Sequence, residues 1–243
     1  VRDQATGNVG SLESWTLQIG TQTFQSTGGS RVIPDNGTVR STITVANPTV
    51  PTVQGVGESA GIGGNVTINA GTVTVQNGAT MSATTRGSGQ GGTLTVNATG
   101  PVALTGAGSG LFTESEASGA GGNIFVNANT VTIENGGTLS AATSGTAPTA
   151  IGGTITVNAT NTVTMSSAKI TASSAGVADA GSINITSPNG FTMQSSTITT
   201  QAGQGAGGGN IKVTTSPAAT VLLQDSLISA SVADGHGGGG NIS

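Results

Sequence analysis

The sequence predicts an all-β fold, a parallel β-helix (β-solenoid) of about six coils of 28–31 residues with an N-terminal β segment, on composition, period and alternation. The 243-residue chain has 42 glycines, 7% charged residues, 2% aromatic residues and no cysteine. An ordinary globular domain carries about 25% charged residues. Disordered chains are also poor in aromatics, but they combine high net charge with few β-branched residues. Here Val, Ile and Thr recur at regular spacing, which favours a repetitive β architecture. The period comes from a Gly-Gly-Asn/Thr-aliphatic signature, with Ala180-Gly181-Ser182-Ile183 as one variant. Its aliphatic anchors are Val66, Leu94, Ile124, Ile155, Ile183, Ile211 and Ile242, separated by 28, 30, 31, 28, 28 and 31 residues. A fixed period of this length is the mark of a solenoid. An antiparallel sandwich also uses many short strands but needs no constant spacing.

Each period has the same internal grammar. The first strand alternates, as in Val66-Thr67-Ile68, Ile124-Phe125-Val126 and Ile183-Asn184-Ile185, placing aliphatics on one face and polar residues on the other. Asn69, Asn97, Asn127 and Asn158 follow it. Asparagine tolerates the left-handed conformation, so these positions are expected to turn corners. A second strand comes next, for example Val73-Thr74-Val75, Val131-Thr132-Ile133, Val163-Thr164-Met165 and Phe191-Thr192-Met193. Turns are expected at Asn77 and Asn135. The third strand is short, as in Thr80-Met81-Ser82-Ala83, Thr138-Leu139-Ser140-Ala141 and Leu227-Ile228-Ser229-Ala230. A polar loop then returns to the next Gly-Gly, where glycine is expected to serve both positive φ and close backbone approach. One coil cannot bury its inward aliphatics; stacked coils can, by forming ladders along a common axis. At about 4.8 Å per coil, six coils make a rod on the order of 30 Å long.

The domain plan that follows is residues 1–47 as an incomplete β segment, 48–62 as a linker around Pro48 and Pro51, and 63–243 as the solenoid. The formal net charge of −4, with six Lys plus Arg, argues against nucleic acid, which needs a basic stripe. No run of 18 apolar residues is present, so no membrane-spanning helix is expected. The chain stops just after the seventh anchor without a polar cap, which leads us to expect end-to-end association of copies or continuation of the chain.

The recurring Gly-Gly-Asn-Ile-x-Val-Asn-Ala … Asn-Gly-Gly-x-Leu-Ser-Ala pattern, read at Gly121–Ala128 and Asn135–Ala141, resembles the repeats of filamentous-haemagglutinin-like exoproteins of two-partner secretion. The resemblance covers about residues 60–243. It implies a right-handed β-helix and export through an outer-membrane barrel in a Gram-negative-type setting, cyanobacteria included. It further implies a secreted, cell-surface or matrix protein that adheres or builds fibres. The implied partners are other copies of itself, surface glycans and host or neighbouring cells. Asp3–Ile19 resembles the closing strand region of a proprotein-convertase P domain, and Ile33–Val45 its opening strand, in reversed order. That order fits a stretch cut from tandem P domains, an assembled or partial sequence, or neighbouring subunits that complete each other by strand exchange.

Candidate chemistry is sparse, and no catalytic, cofactor-binding or metal-binding residue is expected. His236 is the only histidine and sits in a glycine tract, with no second His or Cys to share a metal. Glu114 and Glu116 flank Ser115 in what reads as the loop Leu111–Gly119, a pairing more suited to a solvated loop than to acid–base work or calcium. Arg86, Glu134, Lys169 and Lys212 fall in different repeats and are read as unaligned. The pairs Thr72/Thr74, Thr130/Thr132 and Thr162/Thr164 suggest a flat threonine array, interrupted at Pro101-Val102-Ala103-Leu104. Threonine is also simply a favoured outward strand residue. The glycine strings lack a Gly-Lys-Ser/Thr context and read as turns rather than phosphate loops. The functional expectation is therefore a non-enzymatic structural or adhesive rod. A carbohydrate-active β-helix enzyme and an ice-binding solenoid are the alternatives.

Overall fold

The computed structural model describes residues 63–203, 205–233 and 236–243, together with the backbone of the strands Ser14–Ile19, Gln22–Thr27 and Thr42–Ala46. The described part is a β-solenoid of about six rungs, and no helix occurs among the described residues. Alternation of apolar and polar residues builds the first sheet from Val66–Ala70, Thr93–Ala98, Asn123–Ala128, Thr154–Ala159, Ser182–Thr186 and Ile211–Thr214, stacked in chain order. The second sheet stacks Thr72–Gln76, Val102–Thr105, Val131–Glu134, Thr162–Ser166, Gly190–Gln194 and Val221–Gln224. The third stacks Thr80–Ser82, Gly110–Phe112, Thr138–Ser140, Lys169–Thr171, Thr197–Thr199 and Leu227–Ser229. All neighbours within these three sheets are parallel.

The register is the one the period predicts. Val66 pairs with Leu94, Leu94 with Ile124, Ile124 with Ile155, Ile155 with Ile183, and Ile183 with Ile211. An isolated parallel bridge joins Ile211 to Ile242. All seven anchors thus form one ladder. Parallel ladders on the other two sheets face it, including Val131–Val163–Phe191 and Leu111–Leu139–Ile170–Ile198. Apart from Val66 and Ile242 at the two ends of the anchor ladder, these side chains are fully buried and form one continuous core. Truncating such a side chain costs about 2–5 kcal/mol, because the neighbouring rungs cannot collapse into the void.

The corner between the second and third sheets has a repeated cause. Asn77, Asn135, Ser167, Ser195 and Asp225 adopt φ of 58°, 54°, 51°, 48° and 49°, and Gly106 takes their place in the second rung at 99°. Left-handed residues therefore stack at every turn of this corner, and the turns expected at Asn77 and Asn135 are among them. The corner after the first strand is built differently from the expectation. Asn69, Asn97, Asn127 and Asn158 lie within strands and show no positive φ. They form a side-chain amide ladder instead: Asn97 Nδ2 donates to Asn69 Oδ1 at 2.8 Å, Asn127 to Asn97 at 2.8 Å, and Asn158 to Asn127 at 3.0 Å. Rung stacking places identical amides one above another, and that supplies partners an isolated turn would lack.

The Gly-Gly signature also acts through one of its two expected reasons only. None of its glycines has a positive φ. Close approach is the cause: a Cβ on Gly92, Gly122, Gly153 or Gly181 would overlap the carbonyl oxygen of the equivalent glycine one rung earlier. The same glycine closes the rung. Gly92 N donates to the Ala83 carbonyl at 2.7 Å, Gly122 to Thr113 at 2.6 Å, and Gly153 to Ala141 at 2.8 Å. The first glycine of the signature is dispensable once, at Ala180.

Outside the solenoid proper, Ser14–Ile19 pairs antiparallel with Gln22–Thr27. Thr42–Ala46, within residues 1–47, pairs parallel with Thr72–Gln76 and makes the second sheet seven-stranded. The rest of the P-domain-like segment and the linker 48–62 lie outside the described residues.

Candidate functional site: a trough on the third sheet

Past the third strands of the second to fifth rungs the alternation continues for three more residues before the chain swings into its loop. Ala141 points in, Ala142 out and Thr143 in, and the same holds for Thr113, Glu114 and Ser115. Thr85, Ser115, Thr143 and Ser174 form a column of parallel bridges and are all buried. Their hydroxyls hold the loop down. Ser115 Oγ donates to the Gly89 carbonyl at 3.3 Å, Thr143 Oγ1 to Gly119 at 2.8 Å, and Ser174 Oγ to Ala150 at 2.9 Å. Between this column and the outward face of the third sheet lies a shallow trough of about 540 Å³. A second depression of about 440 Å³ shares Lys169, Thr199 and Gln201 with it and carries it on to Leu227, Ser229 and Ser231.

The trough corrects two expectations. The segment Leu111–Gly119 is not simply a loop: Gly110–Phe112 is a strand, Leu111 is in the core, and Ser115 is buried. Residue Leu111 follows a glycine-rich stretch, Gly106–Gly110, which hides the strand's alternation. Extended geometry puts Glu114 and Glu116 on one face, and both line the trough. Glu114 accepts a hydrogen bond from Ser140 Oγ in the next rung. The charged residues are also partly aligned. Arg86 Nε reaches Glu116 Oε2 at 3.1 Å, with both side chains about half exposed, at 50% and 48%. Lys169 lies in the same trough, two rungs beyond Glu114. Lys212 on the first sheet and Glu134 on the second remain apart from it. His236 is exposed in the last loop and does not line the trough.

On the second sheet, Thr74, Ala103, Thr132, Thr164, Thr192 and Leu222 stack in one outward column. The threonine array is thus interrupted in the second rung and again in the last. Among the described residues, no three of His, Cys, Asp and Glu come together as a metal-holding group. The trough offers hydroxyl, amide, carboxylate and ammonium groups to a ligand, with the half-buried ring of Phe112 at one end. No family model matches the chain, and no curated protein or solved structure matches it.

Proposed function

We propose that this chain is a rod-forming segment of an extracellular structural or adhesive protein, displayed on a bacterial cell surface or in its matrix. The observation that carries the reading is the uninterrupted in-register stacking of three parallel sheets. Such a rod projects side chains at a fixed pitch, and repeated weak contacts along it add up to avidity. The likeness of its repeats to exported haemagglutinin-like exoproteins supports the surface location. On intact cells expressing the protein, added protease is expected to remove the solenoid from an immunoblot. A signal confined to the protected cytosolic fraction would overturn the reading.

The rod also supports assembly. In the last rung Val221, Leu223 and Ile242 are 51%, 50% and 53% exposed, while Phe191, Met193 and Ile211, one rung below, are fully buried. That face combines apolar side chains with unpaired strand edges, which suits another rung against it, whether further chain or a second copy supplies it. Stacking of copies head to tail would not close on itself and would extend as a fibre. Sedimentation velocity is expected to show self-association that Val221→Lys with Leu223→Lys abolishes. A monomer at all concentrations would remove the fibre-forming part of the reading.

A further inference from the structure

We propose that the trough on the third sheet is a binding site for a linear, uncharged polysaccharide. Its shape suits a polymer: it crosses the rungs from Phe112 to Ser229, about 20 Å at the spacing of stacked strands. A small-molecule pocket typically encloses most of its ligand's surface. This one is open, and Ser173, Thr199, Gln201, Ser229 and Ser231 offer it hydrogen-bonding groups on three successive rungs, while Ser140 and Thr171 lie buried beneath. Polyhydroxylated chains present donors and acceptors at similarly regular intervals.

The charges select among polymers. The lining carries two carboxylates, Glu114 and Glu116, and one ammonium, Lys169; Arg86, outside the lining, pairs with Glu116. With that pair counted the site has no net formal charge, and it gives a polyanion no attraction. Nucleic acid is further disfavoured by the chain's net charge of −4. A peptide that adds a strand needs free backbone groups at a sheet edge. The trough is a sheet face whose backbone is already spent between rungs, as in Ala141 N to the Thr171 carbonyl at 2.9 Å and Ala172 N to Thr199 at 3.1 Å. Recognition there falls to side chains. Carboxylates accept from sugar hydroxyls, while Lys169 and the Gln201 amide donate to them. Phe112 offers a ring edge and face to an apolar sugar surface.

The inference deepens the adhesive reading but is tested apart from location and assembly. The soluble chain is run by affinity electrophoresis through gels containing hydroxyethylcellulose, dextran or polygalacturonate. Retardation is expected in at least one of the two neutral glucans and not in polygalacturonate. Phe112→Ala, Lys169→Ala and Gln201→Ala combined are expected to weaken the apparent affinity about tenfold or more, equivalent to 1.4 kcal/mol. Lys212→Ala, on the first sheet, is expected to leave it within about twofold. Circular dichroism verifies that each variant keeps its β signature; the three single variants stand in if the combined one unfolds. Three results overturn the proposal: equal migration in every gel, stronger retardation by polygalacturonate, or binding that survives the trough substitutions. A chain that binds glucan yet is found inside the cell would defeat the surface reading and leave the trough intact.

Discussion

Single positions in this solenoid are judged by what lies one rung away. Gly122 illustrates it: any side chain there runs into the Gly92 carbonyl, which is backbone and cannot swing aside. Gly122→Ala is expected to destabilise the fold by about 2–3 kcal/mol, the scale of overpacking, read by urea denaturation. Thr113 presents the reverse case. Its hydroxyl is buried without a hydrogen-bond partner, although Thr200, at the same position three rungs on, donates to the Gly209 carbonyl at 2.8 Å. An unmade buried hydrogen bond costs about 1–3 kcal/mol. Thr113→Val keeps the volume and removes the orphan group, so a rise in melting temperature is expected; a fall would show that the hydroxyl is satisfied in solution. The left-handed corner allows a gentler change. Ser167 sits at φ 51° where Asn77 and Asn135 occupy equivalent positions, and Ser167→Asn is expected to be neutral or slightly stabilising by the same measurement.

Among the elements, the asparagine ladder shows what stacking adds to a strand. Asn127 both donates to Asn97 and accepts from Asn158. Asn127→Ala breaks two amide bonds at once and is expected to cost about 1–3 kcal/mol in chemical denaturation, at 0.5–1.5 kcal/mol per bond. These amides were legible as a repeated residue but not as a ladder, because their local sequence equally permits a left-handed corner. The strands themselves were legible wherever Val, Ile or Leu alternates with Thr, as at Ile155-Thr156-Val157. Gly110–Phe112 was not, since Gly110 and Phe112 replace the usual Thr and Ser on its outward face. The trough escaped for a related reason. Glu114 and Lys169 are far apart in the chain and meet only because two rungs bring them to one face.

Taken whole, the molecule is a one-dimensional stack, and its stability is expected to fall toward the ends. In such arrays each rung contacts only its neighbours, so inner rungs gain two interfaces and outer ones fewer. Leu139 lies fully buried in the middle, whereas Ile228 in the last rung is only partly covered. Leu139→Ala is expected to cost about 3 kcal/mol or more and Ile228→Ala clearly less. Hydrogen exchange is expected to run fastest in the last rung and slowest around Ile124–Val163. Uniform protection along the axis would contradict a stack of separable rungs. Charge contributes little at this scale. The Arg86–Glu116 pair is half exposed, and Glu116→Gln is expected to change stability by less than about 1 kcal/mol.

By itself the sequence determined the fold class, the rung length, the seven-anchor ladder and the turns at Asn77 and Asn135, because these are set by period-2 alternation and by residue conformational preference. The tertiary structure alone decided why the glycines are there, what the outward asparagines do, and that acids, a lysine and hydroxyls share one trough. Those features depend on contacts between residues about one rung or more apart, and only the stacked backbone specifies which side chains become neighbours.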